Sequence, residues 1–115
     1  VTDACVDRDV LNALQEVMED GYPELLDTFL ADSEARLREL QKTADADALS
    51  SVAHSFKGSS SNMGATRLAE LCQELEHHAK DKSPSEIIKM VADIHNEFAD
   101  VRPVYEAERQ RSPAH

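Results

Sequence analysis

Ala53-His54-Ser55-Phe56-Lys57-Gly58-Ser59-Ser60-Ser61-Asn62-Met63-Gly64-Ala65 is the stretch from which the rest of the chain can be read. Laid on a helix, His54, Lys57, Gly58 and Ser61 stand at i, i+3, i+4 and i+7 and share one stripe. Leu49, Ala53, Phe56, Ser60 and Met63 form a second stripe that suits a core. His54 and Phe56 lie about 200° apart at 3.6 residues per turn, so burying one exposes the other. Gly58 is out of place for a helix that only has to pack. A mid-helix glycine costs about 0.5–1 kcal/mol relative to alanine, and serines compete for the backbone. The small residues fit two readings. Either they give another molecule clearance to approach His54, or they let a neighbouring helix pack closely beside an ordinary surface histidine. The second reading explains the small residues but not the pairing of His54 with Lys57.

Working outward, 115 residues make one domain, and 41% apolar residues with only 4% aromatics call for an aliphatic core. A formal charge of −11 and a pI near 4.7 argue against nucleic acid and against anionic membranes as partners. No stretch approaches the roughly 20 apolar residues of a membrane span, and no basic flank with an apolar run marks a signal peptide. The cysteines are two, Cys5 and Cys72, and Cys72 falls in an apolar helical pattern as a small core residue. A reduced, cytoplasmic protein is the expectation.

The order of the chain predicts helices with clear punctuation. Residues 1–6 read as a frayed lead-in. Asp7 or Asp9 caps a first, short helix with a wide apolar edge of Val10, Leu11, Leu14, Val17 and Met18, and Gly21 ends it. Tyr22-Pro23-Glu24 opens a second helix with Leu26, Phe29, Leu30, Ser33, Leu37 and Leu40 on one face. Its other face carries Asp27, Glu34, Arg38 and Lys42 as a solvated surface, with Glu34 and Arg38 as an i, i+4 pair. Asp45 or Asp47 caps the third helix, Gly64 stops it, and Thr66 caps the fourth, whose apolar face is Leu68, Leu71, Cys72, Leu75 and Ala79. Ser83-Pro84-Ser85-Glu86 is a capping box, followed by the stripe Ile87, Val91, Ile94, Phe98 and Val101. Pro103 is expected to end or bend that last helix. The fold class is therefore all-α. Short connections give an up-down antiparallel four-helix bundle with helix one as a lid, a core over about 7–103, and extensions at 1–6 and 104–115.

The motif itself resembles a known family. His54-Ser55-Phe56-Lys57-Gly58-Ser59-Ser60, with Gly64 and Ala65 beyond, is similar to the phosphoacceptor motif of histidine phosphotransfer (HPt) domains. The whole chain has the length and helix order of the short, free-standing bacterial members. The resemblance implies a phosphocarrier in a multistep His-Asp phosphorelay. His54 would accept a phosphoryl group at Nε2 from an aspartyl phosphate on a receiver domain and pass it to a response regulator. Lys57 would stabilise phosphoryl charge, Gly58 would clear space for the receiver, and the Ser61 hydroxyl would bond a phosphoryl oxygen or simply avoid a clash. An exposed imidazole is mostly neutral at pH 7, so its nitrogen is a nucleophile. No glycine-rich phosphate loop or Walker lysine is present, so ATP-dependent kinase activity is not expected. The cofactor expectation is none, with Mg²⁺ held by the partner receiver. The expected partners are receiver domains of hybrid sensor histidine kinases and of response regulators, met by a monomer. Leu11, Met18 and Leu26 are candidate apolar docking contacts, with Ser50, Ser51 and Ser55 beside His54.

Glu76 stands where some members of that family place a glutamine facing the histidine. It would repel a phosphoryl group but accept a hydrogen bond from the free imidazole; the alternative is a solvated acid. A helical adaptor that binds receiver or kinase domains without phosphotransfer is the competing function, and the intact His54, Lys57 and Gly58 argue against it. A metal site at His77 and His78 with Glu74 or Cys72 is disfavoured, because adjacent histidines point about 100° apart on a helix. His95 and His115 carry no pattern.

Overall fold

Five α-helices make up most of residues 5–111, the part of the chain that the structure, a computed structural model, describes. They are α1 (Arg8–Met18), α2 (Tyr22–Lys42), α3 (Ala46–Asn62), α4 (Thr66–His78) and α5 (Pro84–Arg111). The predicted residues 1–4 of the lead-in and 112–115 of the tail lie outside the described part. Short acidic or hydroxyl side chains start the helices where expected. Asp7 accepts from the Asp9 amide at 2.9 Å, and Asp45 from the Ala48 amide at 2.9 Å. At α5, Ser83 and Glu86 exchange bonds, each amide donating to the other's side chain at 3.3 Å, as a capping box does.

Helices α2 to α5 close a ring in which α2 packs on α3, α3 on α4, α4 on α5, and α5 back on α2. The connections 43–45, 63–65 and 79–83 are too short for anything but antiparallel neighbours. The result is the up-down four-helix bundle. Its 28-residue α5, about 42 Å long at 1.5 Å per residue, sets the 47 Å long dimension. Leu26, Phe56, Leu68, Leu75, Ile94 and Val101 are fully buried along its axis. No helix among the described residues is long and apolar enough to cross a membrane.

Helix α1 caps one end. Its Leu11 is fully buried, and the chain just before it is tied to the α3–α4 turn. The Asp7 amide donates to the Gly64 carbonyl at 2.7 Å, the Thr66 amide to the Cys5 carbonyl at 3.1 Å, and Val6 bridges Ala65. Residues 5 and 6 are thus paired rather than frayed. Gly64 has φ +80°, and a Cβ there would sit 2.9 Å from the Asp7 carbonyl oxygen, so both its conformation and its space call for glycine.

Four expectations are corrected. Gly21 does not end α1; the helix stops at Met18, Glu19 takes the positive φ of 49°, and a 3₁₀ turn Glu19–Gly21 leads directly into α2. Thr66 does not cap α4, because it is already helical and its hydroxyl donates to the Cys5 carbonyl at 3.4 Å. Glu34 pairs with Arg102 of α5 instead of with Arg38, and Asp27 with Arg109 at 2.9 Å, so this face of α2 is stitched to α5. Pro103 does not end α5, which runs on to Arg111 with Pro103 exposed on its surface. What holds the last turns is burial. Tyr105 and Glu108 have no exposed surface, and the Tyr105 ring tilts against Phe29 with centroids 4.8 Å apart. The Tyr105 hydroxyl donates to the Met63 carbonyl at 2.7 Å. Glu108 accepts from Tyr22 at 3.1 Å and from Arg8 at 2.9 Å, with Arg111 at 3.4 Å. Residues 104–111 are therefore core, not extension.

Candidate functional site

Helix α3 turns Leu49, Ala53, Phe56 and Ser60 into the core and His54 out of it. Phe56 is fully buried while the His54 side chain is 70% exposed, the consequence of their opposite angular positions. Lys57, half-buried, and Ser61, exposed, follow on the stripe of His54. Among the described residues no carboxylate lies within ion-pair distance of the Lys57 ammonium, which leaves that charge for an incoming group. A Cβ built on Gly58 meets nothing within 4 Å. The close-packing explanation therefore fails at Gly58: no neighbouring helix among the described residues needs the space. It holds at Ser60, which is fully buried.

The antiparallel α3–α4 pair brings Glu76 onto His54. Glu76 Oε2 lies 2.9 Å from His54 Nδ1, and Glu76 is only 22% exposed. Its other oxygen, Oε1, is buried and accepts no hydrogen bond among the described residues. The Ser50 hydroxyl donates to the Glu76 backbone carbonyl at 3.1 Å, which holds α4 in register beside the histidine. One turn further, Lys80 meets Asp47 at 3.0 Å. Of the two readings of Glu76, the hydrogen-bonded one describes the structure. A carboxylate at Nδ1 must accept a proton from it, so the remaining lone pair of this exposed ring is on Nε2.

The docking candidates separate. Leu11 and Leu26 are fully buried and cannot touch a partner. Met18 is 39% exposed, and Val17 beside it, 79% exposed, is the larger apolar surface. Ser50 is engaged by Glu76, whereas Ser51 and Ser55 are exposed. These two serines line a groove between α2 and α3 with Asp32, Arg36, Glu39 and Val52. Sequence reading missed that wall of the groove, although Asp32, Arg36 and Glu39 recur at helical spacing on α2.

The other reactive side chains are inert or apart. Cys72 is buried, and burial pushes its thiol up to about 12, so it stays protonated. Among the described residues no cluster of His, Cys, Asp and Glu has the arrangement to hold a metal ion. His78 lies by Asp81 at 3.3 Å, away from any such group.

Comparison with known proteins bears on the family and the fold. The model of the Hpt domain family matches residues 24–102. Among solved structures, the crystal structure of histidine-containing phosphotransfer protein B (HptB) from Pseudomonas aeruginosa PAO1 superposes with a TM-score of 0.89. It is 50% identical in sequence, over 96% of this chain and 98% of that chain. None of the curated proteins matches.

Proposed function

The chain belongs to the Hpt domain family, and from that premise we propose that it carries a phosphoryl group on His54 between receiver domains of a multistep His-Asp relay. The observation that carries this reading is a solvent-facing imidazole whose Nδ1 is engaged by Glu76 and whose Nε2 is left free. In the proposed reaction Nε2 attacks the phosphorus of an aspartyl phosphate on the receiver of a hybrid sensor kinase. The phosphoryl group later passes to an aspartate on a response-regulator receiver. Transfer of this kind depends on in-line positioning and charge neutralisation more than on covalent help. Lys57, one turn from His54, supplies a cation for the phosphoryl oxygens, and Ser61 offers a hydroxyl further along the stripe. Gly58 keeps the approach open. The Mg²⁺ of the reaction belongs to the receiver in this scheme, and the chain acts as a carrier without kinase activity of its own.

Receivers would dock across Val17 and Met18 on α1 and along the groove of Ser51, Ser55, Asp32, Arg36 and Glu39, which adjoins His54. The proposed carrier works as a single-domain monomer in the cytoplasm. The test is phosphotransfer from a phosphorylated receiver to wild type and to His54→Gln. The expected result is an acid-labile, alkali-stable label on wild type that is absent from His54→Gln. A wild-type chain that binds receivers yet stays unlabelled would turn the assignment to an adaptor.

A further inference from the structure

We propose that Glu76 keeps the proton on His54 Nδ1 throughout the phosphoryl cycle, so that the phosphorylated ring stays cationic and poised to release its cargo. The inference rests on His54 as the phosphoacceptor and deepens that reading. Its basis is the 2.9 Å contact between Glu76 Oε2 and Nδ1, made by a carboxylate that is largely shielded and has no other side-chain partner among the described residues.

In the resting ring, Nδ1 carries its hydrogen toward Glu76 and Nε2 carries the lone pair. As that pair forms the N–P bond, the P–O bond to the donor carboxylate breaks, and its electrons leave with the carboxylate. The ring still holds its Nδ1 hydrogen and is now an imidazolium. Away from any carboxylate, such a ring can shed the proton and become neutral, with a lone pair on Nδ1. Here that lone pair would face an anionic oxygen at hydrogen-bond distance, whereas the retained proton makes a charge-assisted bond. Protonation governs release. From the cationic ring, cleavage of N–P returns the pair to Nε2 and frees a neutral imidazole; from the neutral ring, an imidazolate would have to leave. When an acceptor carboxylate takes the phosphorus, His54 returns to its starting tautomer. No proton enters or leaves in either transfer.

The charged groups around the ring are few. Glu76 comes from α4, Lys80 from the connection after it, Asp47 and Lys57 from α3, and Asp32, Arg36 and Glu39 from α2 across the groove of Ser51 and Ser55. Lys80 is paired with Asp47, and among the bonds of the described residues only Glu76 touches the ring.

The experiment phosphorylates wild type, Glu76→Gln, Glu76→Asp and His54→Gln with phosphoramidate, a small donor that needs no receiver. Loss of the label is then followed from mildly acidic to alkaline pH. In wild type the rate holds to higher pH. In Glu76→Gln the amide can donate to the bare Nδ1, and the profile moves to lower pH, so the label outlives that of wild type about tenfold on the alkaline side. Glu76→Asp recovers part of the shift. Overlaid wild-type and Glu76→Gln profiles, with the label on His54, would overturn this role for Glu76 and leave the carrier reading standing. Wild type that takes no more label than His54→Gln would overturn both.

Discussion

Two glycines six residues apart do opposite jobs, and substitution separates them. At Gly58 an added methyl meets open space in a helix, so Gly58→Ala should raise stability by about 0.5–1 kcal/mol in denaturant unfolding. The longer Gly58→Gln should also fold, yet slow phosphotransfer by standing where the receiver approaches; transfer at the wild-type rate would end the clearance argument. At Gly64 the positive φ and the Asp7 carbonyl 2.9 Å from a Cβ make Gly64→Ala costly, by about 2 kcal/mol or more, measured the same way. The cost of a mid-helix glycine was legible from the residue types, and so was the outward turn of His54, fixed by its angle from Phe56. What could not be read was the direction of clearance at Gly58, toward solvent rather than toward a neighbouring helix. Leu11 and Leu26 show the same limit: on a wide apolar stripe, period alone does not tell the buried edge from the exposed one.

At the scale of elements, α5 runs against its own local rule. Proline in a helix interior removes one backbone bond and crowds the preceding turn, at about 3 kcal/mol. The stripe Ile94, Phe98, Val101, Tyr105 and Glu108 outweighs that local cost, since all five are buried. Pro103→Ala should therefore leave the fold unchanged and raise its stability by about 2 kcal/mol, the helix gain less the stiffness that proline gives the unfolded chain. Equal midpoints for the two proteins in urea would contradict this. The spacing of Tyr105 and Glu108 continued the stripe beyond the proline, but a buried glutamate reads as polar until its partners are known. Capping signals were the most legible part of the elements: Asp45 and the Ser83–Glu86 box act as their chemistry dictates, because their bonds are local.

Across the whole molecule, the net charge of −11 hides where charges meet. Glu34 with Arg102, Asp27 with Arg109, and Arg8 with Glu108 join helices far apart in sequence, which no local pattern could reveal. The same buried end of the bundle predicts an alkaline limit. Burial raises the Tyr105 phenol above its ordinary range, and burial followed by the adjacent Glu108 carboxylate raises Tyr22. Between the unfolded value of about 10 and the higher folded value, the unfolded chain binds fewer protons than the folded one. Stability is thus unaffected by these groups below about pH 9 and falls as pH rises beyond about 10. Denaturation followed against pH should show this decline, and Tyr105→Phe, though less stable at neutral pH for losing its bond to Met63, should show a shallower one.

The clasp of Arg8 on Glu108 also orders events in time. The two residues are separated by 100 positions, so α1, already tied to the α3–α4 turn, gains its ion pair only when the last turns of α5 arrive. Until then Tyr22 and the Met63 carbonyl lack their partners Glu108 and Tyr105, and the emerging bundle stands open at one end. Shortening α5 ahead of Tyr105 should therefore loosen α1 as well, an injury passed to a helix that was never cut.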